Sequence, residues 1–411
     1  MSKSQKFQLF DHPSQMEPLL PGEFKLAPLL ERASDLIRTA DRLSGWSAAG
    51  TLPGLRQLLR SMNSYYSNKI EGQHTLPLEI EQALRNDYAK DADKARRQRL
   101  ALAHMATELQ LESLCSQWNH ERVWRPQTIG EIHQDLFARL PVTDRVQHTG
   151  NKAITLEPGQ WRQSEVSVGR HAAPAAKSVR DFLAHWSQIY GLARRGEMQV
   201  VAMAASHHRL AWIHPFLDGN GRVARLHSHL LLCHMGLTNG LWSPLRGFAR
   251  SQDAYYAQLA AADEPRAGDL DGRGNLTEAG LLTWIHYVIE TCIDQVAFMT
   301  QLLSLEDMKD RIAACLNYEE QVVRQGVRTE ALRGLHYLFS TQTDLDRADF
   351  KAMLGLGDRL ATAQVSALLA RGLLMTDSPY GKLRFGVPQH ALRFYFPHLW
   401  PEAEAQNPQA S

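Results

Sequence analysis

Residues 213–225 read Ile213-His214-Pro215-Phe216-Leu217-Asp218-Gly219-Asn220-Gly221-Arg222-Val223-Ala224-Arg225, and the rest of the chain is organised around them. Val223, Leu226, Leu230 and Cys233 recur at helical spacing, which predicts an amphipathic helix from about Gly221 to Met235. Pro215 and the two glycines keep the preceding residues out of that helix. Gly219 and Gly221 let backbone N–H groups converge at the helix N-terminus, an anion-binding arrangement. Arg222 and Arg225 stand three apart, so they share a helix face and add two fixed positive charges. Asp218 is a carboxylate suited to a hard cation such as Mg²⁺ beside a phosphate. His214 is the one group here that takes a proton near neutral pH. The plain alternative is an ordinary Gly-Asn-Gly turn before a helix and a structural histidine. A base, a metal carboxylate, a phosphate cradle and two arginines within a dozen residues point instead to phosphate transfer.

This stretch resembles the signature HPFx[D/E]GNGRxxR of the Fic (Fic/Doc) family at every specified position, and the resemblance is strong over some 180 residues around it. It implies transfer of a nucleoside monophosphate, usually AMP from ATP, to a Ser, Thr or Tyr hydroxyl of a target protein. On that resemblance His214 is the base and Asp218 binds the Mg²⁺ between α- and β-phosphates. Asn220 and the backbone from Leu217 through Gly219 to Gly221 cradle the phosphates, and Arg222 and Arg225 hold the β- and γ-phosphates. Doc-type kinases carry a lysine at the position of Gly221, so the small residue here favours AMP transfer; UMP and phosphocholine transfer stay open. Relatives often have a carboxylate three residues before the histidine, where this chain has Ala211.

A second constellation is Ser67-Asn68-Lys69-Ile70-Glu71-Gly72. Leu55, Leu58, Leu59 and Met62 predict a helix from about Leu52, stopped by Gly72 as C-cap. Ser67 and Glu71 share its face, and Glu71 stands in the last turn, where the helix dipole disfavours a carboxylate. A broken local rule calls for a compensating partner. The stretch is similar to the family's inhibitory motif [S/T]xxxE[G/N], which implies that Glu71 pairs with Arg225 and occupies the γ-phosphate space, as in the class II arrangement. Tyr65 and Tyr66 beside it are candidate self-modification acceptors, although two aromatics on a helix are more often core.

Outside these motifs the chain is an ordinary globular composition, 44% apolar and 22% charged, and its 411 residues predict two or three domains. Lys and Arg number 45 against 44 Asp and Glu, so no global preference for nucleic acid or anionic membrane follows. Cys115, Cys233, Cys292 and Cys315 are scattered without a CxxC pair, so reduced buried thiols are expected rather than disulfides or zinc. His207, His208, His227, His229 and His234 show no consistent ligand spacing and are read as structural. No apolar signal core opens the chain and no apolar run approaches membrane-spanning length, which predicts a cytoplasmic protein without membrane contact.

Residues 1–28, with four prolines, are expected as an irregular arm, followed by a helix over Leu29–Leu43. Further helices are predicted over Leu78–Tyr88, Arg96–Leu114, Ser178–Tyr190, Glu197–Ile213 and Thr277–Leu303, with Thr128 and Glu131 as a capping box opening Ile129–Leu140. Gly150–Val168 reads as a hairpin through the turn Glu157-Pro158-Gly159, its tail alternating Glu165, Val166, Ser167, Val168. This falls where the family has its target-docking flap, implying docking roles for Arg162, Gln163, Val166 and Val168 by strand addition. Residues 264–275 are a polar loop.

The C-terminal section predicts three short helices, Thr329–Ser340, Asp346–Met353 and Arg359–Arg371, then strands about Leu374 and Arg384, a winged helix-turn-helix pattern. Nine Lys/Arg against six Asp/Glu over 321–390 is mildly basic and short of a strong DNA footprint. DNA binding through Arg359, Thr362, Gln364, Ser366 and Arg371 is one reading, and packing against the catalytic core or dimerisation has at least as much support.

The expected architecture is an all-α Fic-fold core with a short β-hairpin flap, an N-terminal helical extension and a C-terminal winged helix-turn-helix. The expected regions are 1–104 with the inhibitory motif, 105–305 catalytic, 306–395 winged-helix-like and a tail over 396–411. The expected function is AMP transfer from ATP with Mg²⁺, autoinhibited by Glu71. Partners are the target protein, the chain itself as acceptor and a second copy. Two competitors are a nucleotide-sensing transcriptional regulator and a hydrolase using Glu71 to remove AMP from a modified protein.

Overall fold

The computed structural model describes residues 10–45, 52–149, 152–169, 171–194 and 196–399. It is mostly helical, and it divides into two compact units: the described residues of Met1–Asp41 and Asn63–Val296, and those of Arg42–Met62 and Ala297–Ser411. The segment expected as one N-terminal region is therefore shared between the two.

In chain order the first unit draws on helices α1 (Glu23–Ser44), α2 (Leu52–Ile70), α3 (Pro77–Leu84), α4 (Ala92–Cys115), α5 (His120–Val123), α6 (Pro126–Ala138), α7 (Val179–Tyr190), α8 (Gly196–Ile213), α9 (Asn220–His234), α10 (Leu245–Arg250), α11 (Gln252–Asp263) and α12 (Glu278–Leu302). Helix α8 is the hub. It is buried all round from Val200 to Leu210, and the one charged side chain in that stretch, Arg209, donates to the Pro18 carbonyl (2.7 Å). The indole N–H groups of Trp186 and Trp284 find the α8 carbonyls of Ser206 (3.1 Å) and Ala204 (2.7 Å), so two large rings are buried without an orphan donor.

Several local expectations are corrected. Helix α1 starts at Glu23 and contains Pro28, so the irregular arm is shorter than expected. Helix α6 starts at Pro126, which is pre-set for a first helical position; Thr128 lies inside it and its hydroxyl donates to the Arg122 carbonyl. No hairpin turns at Glu157-Pro158-Gly159. Instead β1 (Val146–Thr149) pairs with β2 (Lys152–Thr155), and β3 (Ser167–Val168) pairs with β4 (His171–Ala172), with irregular backbone between the two ladders. Alternation over 165–168 was too short a signal to set register.

The second unit holds the start of α2, then α13 (Leu305–Tyr318), α14 (Leu332–Thr341), α15 (Arg347–Leu354), α16 (Asp358–Ala370), strands β5 (Leu374–Met375) and β6 (Arg384–Phe385), and α17 (Gln389–Tyr395). Leu345 exchanges both backbone hydrogen bonds with Leu383 beside the hairpin. Gln364 is buried, and Arg371 makes a two-pronged pair with buried Glu319 (2.6 and 2.7 Å). Both side chains turn inward, leaving Arg359, Thr362 and Ser366 exposed on α16. Among the described residues no single helix is long and apolar enough to cross a membrane.

Candidate functional site

The loop between α8 and α9 carries the quoted motif, and its shape is fixed from several sides. Gly219 caps α9 with φ +81°, and a Cβ there would run into the Phe137 ring, so glycine is required twice over. The Asn220 amide closes the loop on Phe216, accepting from its N–H at 2.8 Å and donating to its carbonyl at 2.9 Å. Asn220 therefore shapes the cradle, while its side chain is taken up locally. Leu217 lies part-exposed at the apex.

His214 follows the last turn of α8 with φ +49°, an uncommon conformation for a non-glycine residue and one that the surroundings must hold. Its Nδ1 meets the Ala211 carbonyl at 3.4 Å; a carbonyl only accepts, so Nδ1 carries the proton and Nε2 keeps its lone pair. The main-chain carbonyl at 211 thus supplies an orienting acceptor where no carboxylate side chain stands. Burial pushes the imidazole down to about 4, so the ring is neutral at pH 7.

Arg162 holds this loop from below. Its side chain is buried, with Nε on the His214 carbonyl (2.8 Å), Nη1 on Ser164 (3.0 Å) and Nη2 on the Pro174 carbonyl, while its own N–H donates to Pro215 (2.9 Å). The docking role expected for it is corrected: a guanidinium spent on inward carbonyls offers nothing to a surface strand. Gln163 is exposed and Val166 part-exposed next to β3; Val168 pairs by its backbone with His171, and its side chain lies outside the described residues.

Asp218 accepts from the Gly219 N–H (2.6 Å) through one carboxylate oxygen and from the Gln147 amide (2.5 Å) through the other. Its carbonyl accepts from His133 Nε2 (3.3 Å), whose Nδ1 accepts from Gly159 N–H (2.8 Å), so His133 is a neutral, fixed tautomer. Burial pushes it down to about 3, and its ring stacks on Phe216 with centroids 3.8 Å apart. Sequence reasoning missed His133 and Gln147. A histidine facing inward on α6 gave no spacing signal to a loop 85 residues away.

The end of α2 lies on the two arginines of α9. Gly72 adopts φ +67°, Gly72 N–H donates to Lys69 (2.9 Å) and Gln73 N–H to Asn68 (2.8 Å), the paired bonds of a Schellman turn. The Ile70 carbonyl, otherwise an orphan, accepts from Tyr256 OH (2.8 Å) and Gln252 Nε2 (3.2 Å) of α11. This turn presents five acceptors from four residues within Ser67–Gln73. Arg222 donates to Asn68 Oδ1 (3.0 Å) and Gln73 Oε1 (2.8 Å); Arg225 donates to Ser67 Oγ (3.1 Å), the Ser67 carbonyl (3.0 Å) and Glu71 Oε1 (2.6 Å). Burial pushes the Glu71 carboxyl up, but the Arg225 and Arg222 guanidiniums outweigh it and hold it below the ordinary carboxylate range. A Cβ added at Gly221 would collide with this Glu71 carboxylate. Tyr65 and Tyr66 are buried, so neither is a surface acceptor for self-modification.

Residues 124–232, which include the loop, α9 and α6, match the Fic/DOC family. The chain carries a Fic domain. Curated relatives of the chain include the protein adenylyltransferase Fic of Drosophila ananassae, 31% identical over 110 residues, 26% of this chain and 21% of that one. Another is the protein adenylyltransferase Fic of Aedes aegypti, 27% identical over 179 residues, 42% of this chain and 33% of that one. The chain thus spans between a fifth and a third of the length of the curated relatives it matches. Among solved structures, a Fic family protein from Desulfovibrio desulfuricans G20 aligns over 87% of this chain and 96% of its own, at 18% identity and TM-score 0.48.

Proposed function

We propose that this protein transfers AMP from ATP to a hydroxyl of a protein substrate, and that Glu71 holds the reaction off. His214 Nε2 takes the hydroxyl proton, the hydroxyl oxygen bonds to the α-phosphorus, and pyrophosphate leaves with the electrons of the broken P–O bond. A neutral imidazole with its lone pair on Nε2 and its other nitrogen pinned supports that role. Backbone N–H groups at the start of α9 suit the phosphates. Asp218 fits Mg²⁺: a hard carboxylate beside a helix N-terminus, one N–H on each oxygen, leaves acceptor capacity on both. Bound there, the ion would neutralise phosphate charge.

The observation that carries the regulatory half is the occupancy of Arg222 and Arg225. A triphosphate reaching for Arg225 would meet the Glu71 carboxylate already bonded to it at 2.6 Å, so its terminal phosphate would face both a filled position and a like charge.

The test incubates wild type, Glu71→Gly and His214→Ala with α-labelled ATP and Mg²⁺, reading label on the protein and on a lysate. Label rising at least tenfold in Glu71→Gly and vanishing in His214→Ala supports both assignments. Glu71→Gly as dark as His214→Ala, with ATP still bound, overturns the AMP-transfer reading. Release of AMP from a pre-modified target by wild type but not by Glu71→Gly would favour the hydrolase.

A further inference from the structure

About one to two turns beyond Arg225, on the far half of the motif helix, lies a cluster that the reaction does not use. Glu112 of α4 and His229 and Cys233 of α9 bring one carboxylate oxygen, one imidazole nitrogen and one sulfur within 4.8 Å of one another. We propose that these three residues bind a Zn²⁺ ion that braces α9 against α4, a site independent of the AMP-transfer reading.

The geometry is that of a coordination sphere before the ion enters. Tetrahedral zinc with bonds of about 2.0 Å to N and O and 2.3 Å to S sets donor separations of about 3.3 Å for N···O and about 3.6 Å for N···S. His229 Nε2 stands 3.2 Å from Glu112 Oε1 and 3.4 Å from Cys233 Sγ. His229 and Cys233 are four apart on α9, one turn on one face, and Glu112 reaches them from the facing helix. Cys115, one turn past Glu112, donates its thiol to the Glu112 carbonyl at 3.1 Å and stands outside the three-donor set.

Mixed thiolate, imidazole and carboxylate donors suit zinc over Mg²⁺ or Ca²⁺, which take oxygen. The surroundings are those of a metal site and not of an apolar helix contact. Glu108, buried, stands 3.9 Å from His229 Nε2 and accepts from Asn63 Nδ2 at 2.7 Å. His104 is wholly buried with neither ring nitrogen hydrogen-bonded, and its Nδ1 lies 3.8 Å from Glu108. So much buried polarity between two helices is costly unless something organises it. Glu112 and Cys233 are part-exposed, which gives an ion a way in.

Binding balances by proton release. The Cys233 thiol loses its proton to become the ligand, and the His229 ring carries its remaining proton on Nδ1 once Nε2 coordinates. The site begins about 13 Å along α9 from the helix N-terminus, so it is distinct from Asp218. Its effect on the motif is mechanical: it fixes the helix that holds Arg222 and Arg225. The expectation of uncoordinated structural histidines and thiols came from spacing within one segment, whereas this donor set spans 122 positions from Glu112 to His234's neighbour Cys233 only when α4 folds against α9.

The full chain, stripped with a chelator and reloaded with Zn²⁺ or Co²⁺, tests this. Expected are one equivalent of zinc by mass spectrometry and, with cobalt, a thiolate-to-metal charge-transfer band beside tetrahedral ligand-field bands. Asp218→Asn should leave both unchanged. Cys233→Ser should abolish the band, and Glu112→Gln should weaken metal affinity about tenfold to a hundredfold or more. The cobalt spectrum of the wild type decides the matter even where a variant fails to fold. Substoichiometric metal after reloading, a cobalt spectrum without the sulfur band, or a band unchanged in Cys233→Ser would overturn the site.

Discussion

Glu71 Oε1 accepts a 2.6 Å hydrogen bond from Arg225 Nη2, joining the last turn of one helix to the second turn of another across 154 residues of sequence. The pair settles two local debts at once. Glu71 sits at a helix C-terminus, where its charge is disfavoured, and Arg225 is buried, where its charge needs a partner. Glu71→Gln keeps the shape and an acceptor but removes the charge. Label transfer is expected to rise in Glu71→Gln, and to rise less than in Glu71→Gly, because the amide still fills the space beside Gly221. Equal activation of the two would assign inhibition to charge alone.

Gly72 controls the same contact from outside the site. Its φ of +67° is open to glycine and strained for alanine, while a Cβ there meets nothing within 4 Å, so Gly72→Ala isolates the backbone term. The expected cost is about 1 kcal/mol of stability, read by chemical denaturation. Loosening the turn also loosens Glu71 and Gln73 together, so basal labelling should rise severalfold. Gly72→Asn, which tolerates this conformation better, should lie between.

The site was legible where it is continuous in sequence and hidden where it is not. His214, Asp218, Gly219 and the two arginines fall in one loop and one helix, and Ser67, Glu71 and Gly72 in one helix end. What no spacing announced is how other segments hold them: His133 through the Asp218 carbonyl, Gln147 through its carboxylate, Tyr256 through Ile70. Helix α11, which supplies Tyr256, was not foreseen at all. Strands suffered most, since two-residue ladders such as Ser167–Val168 leave no period to read.

Arg162 separates a positioning role from a docking one. Its guanidinium binds the carbonyls of His214, Ser164 and Pro174, so it sets where the His214 ring stands. In a Glu71→Gly background, Arg162→Lys should lower kcat about tenfold to a hundredfold, as small misplacements of a base do, with the KM for the protein target nearly unchanged. A lysine has one nitrogen where three are used. A rise in that KM at constant kcat would restore the docking role.

Acid stability follows from the buried imidazoles. Burial holds His133 and His104 down at about 3 and His214 and His227 at about 4, against an unfolded value near 6.5. The folded state therefore binds fewer protons than the unfolded chain between those values. Stability is full above pH 6.5 and falls as pH drops through the window from 6.5 towards 3–4, by about 1.4 kcal/mol per pH unit for each such ring once the unfolded ring is protonated. His229 opposes this, because Glu108 and Glu112 outweigh burial and raise it; one ring against four leaves the sum destabilising. Thermal melts should be level from pH 8 to 7 and descend below 6.5, before ordinary carboxylates titrate. In His133→Phe, which keeps the stack on Phe216 but cannot take a proton, the slope between pH 6 and 5 should shrink by about one proton. An unchanged slope in that variant would mean that His133 is charged in the folded protein, contrary to the hydrogen bond it accepts from Gly159.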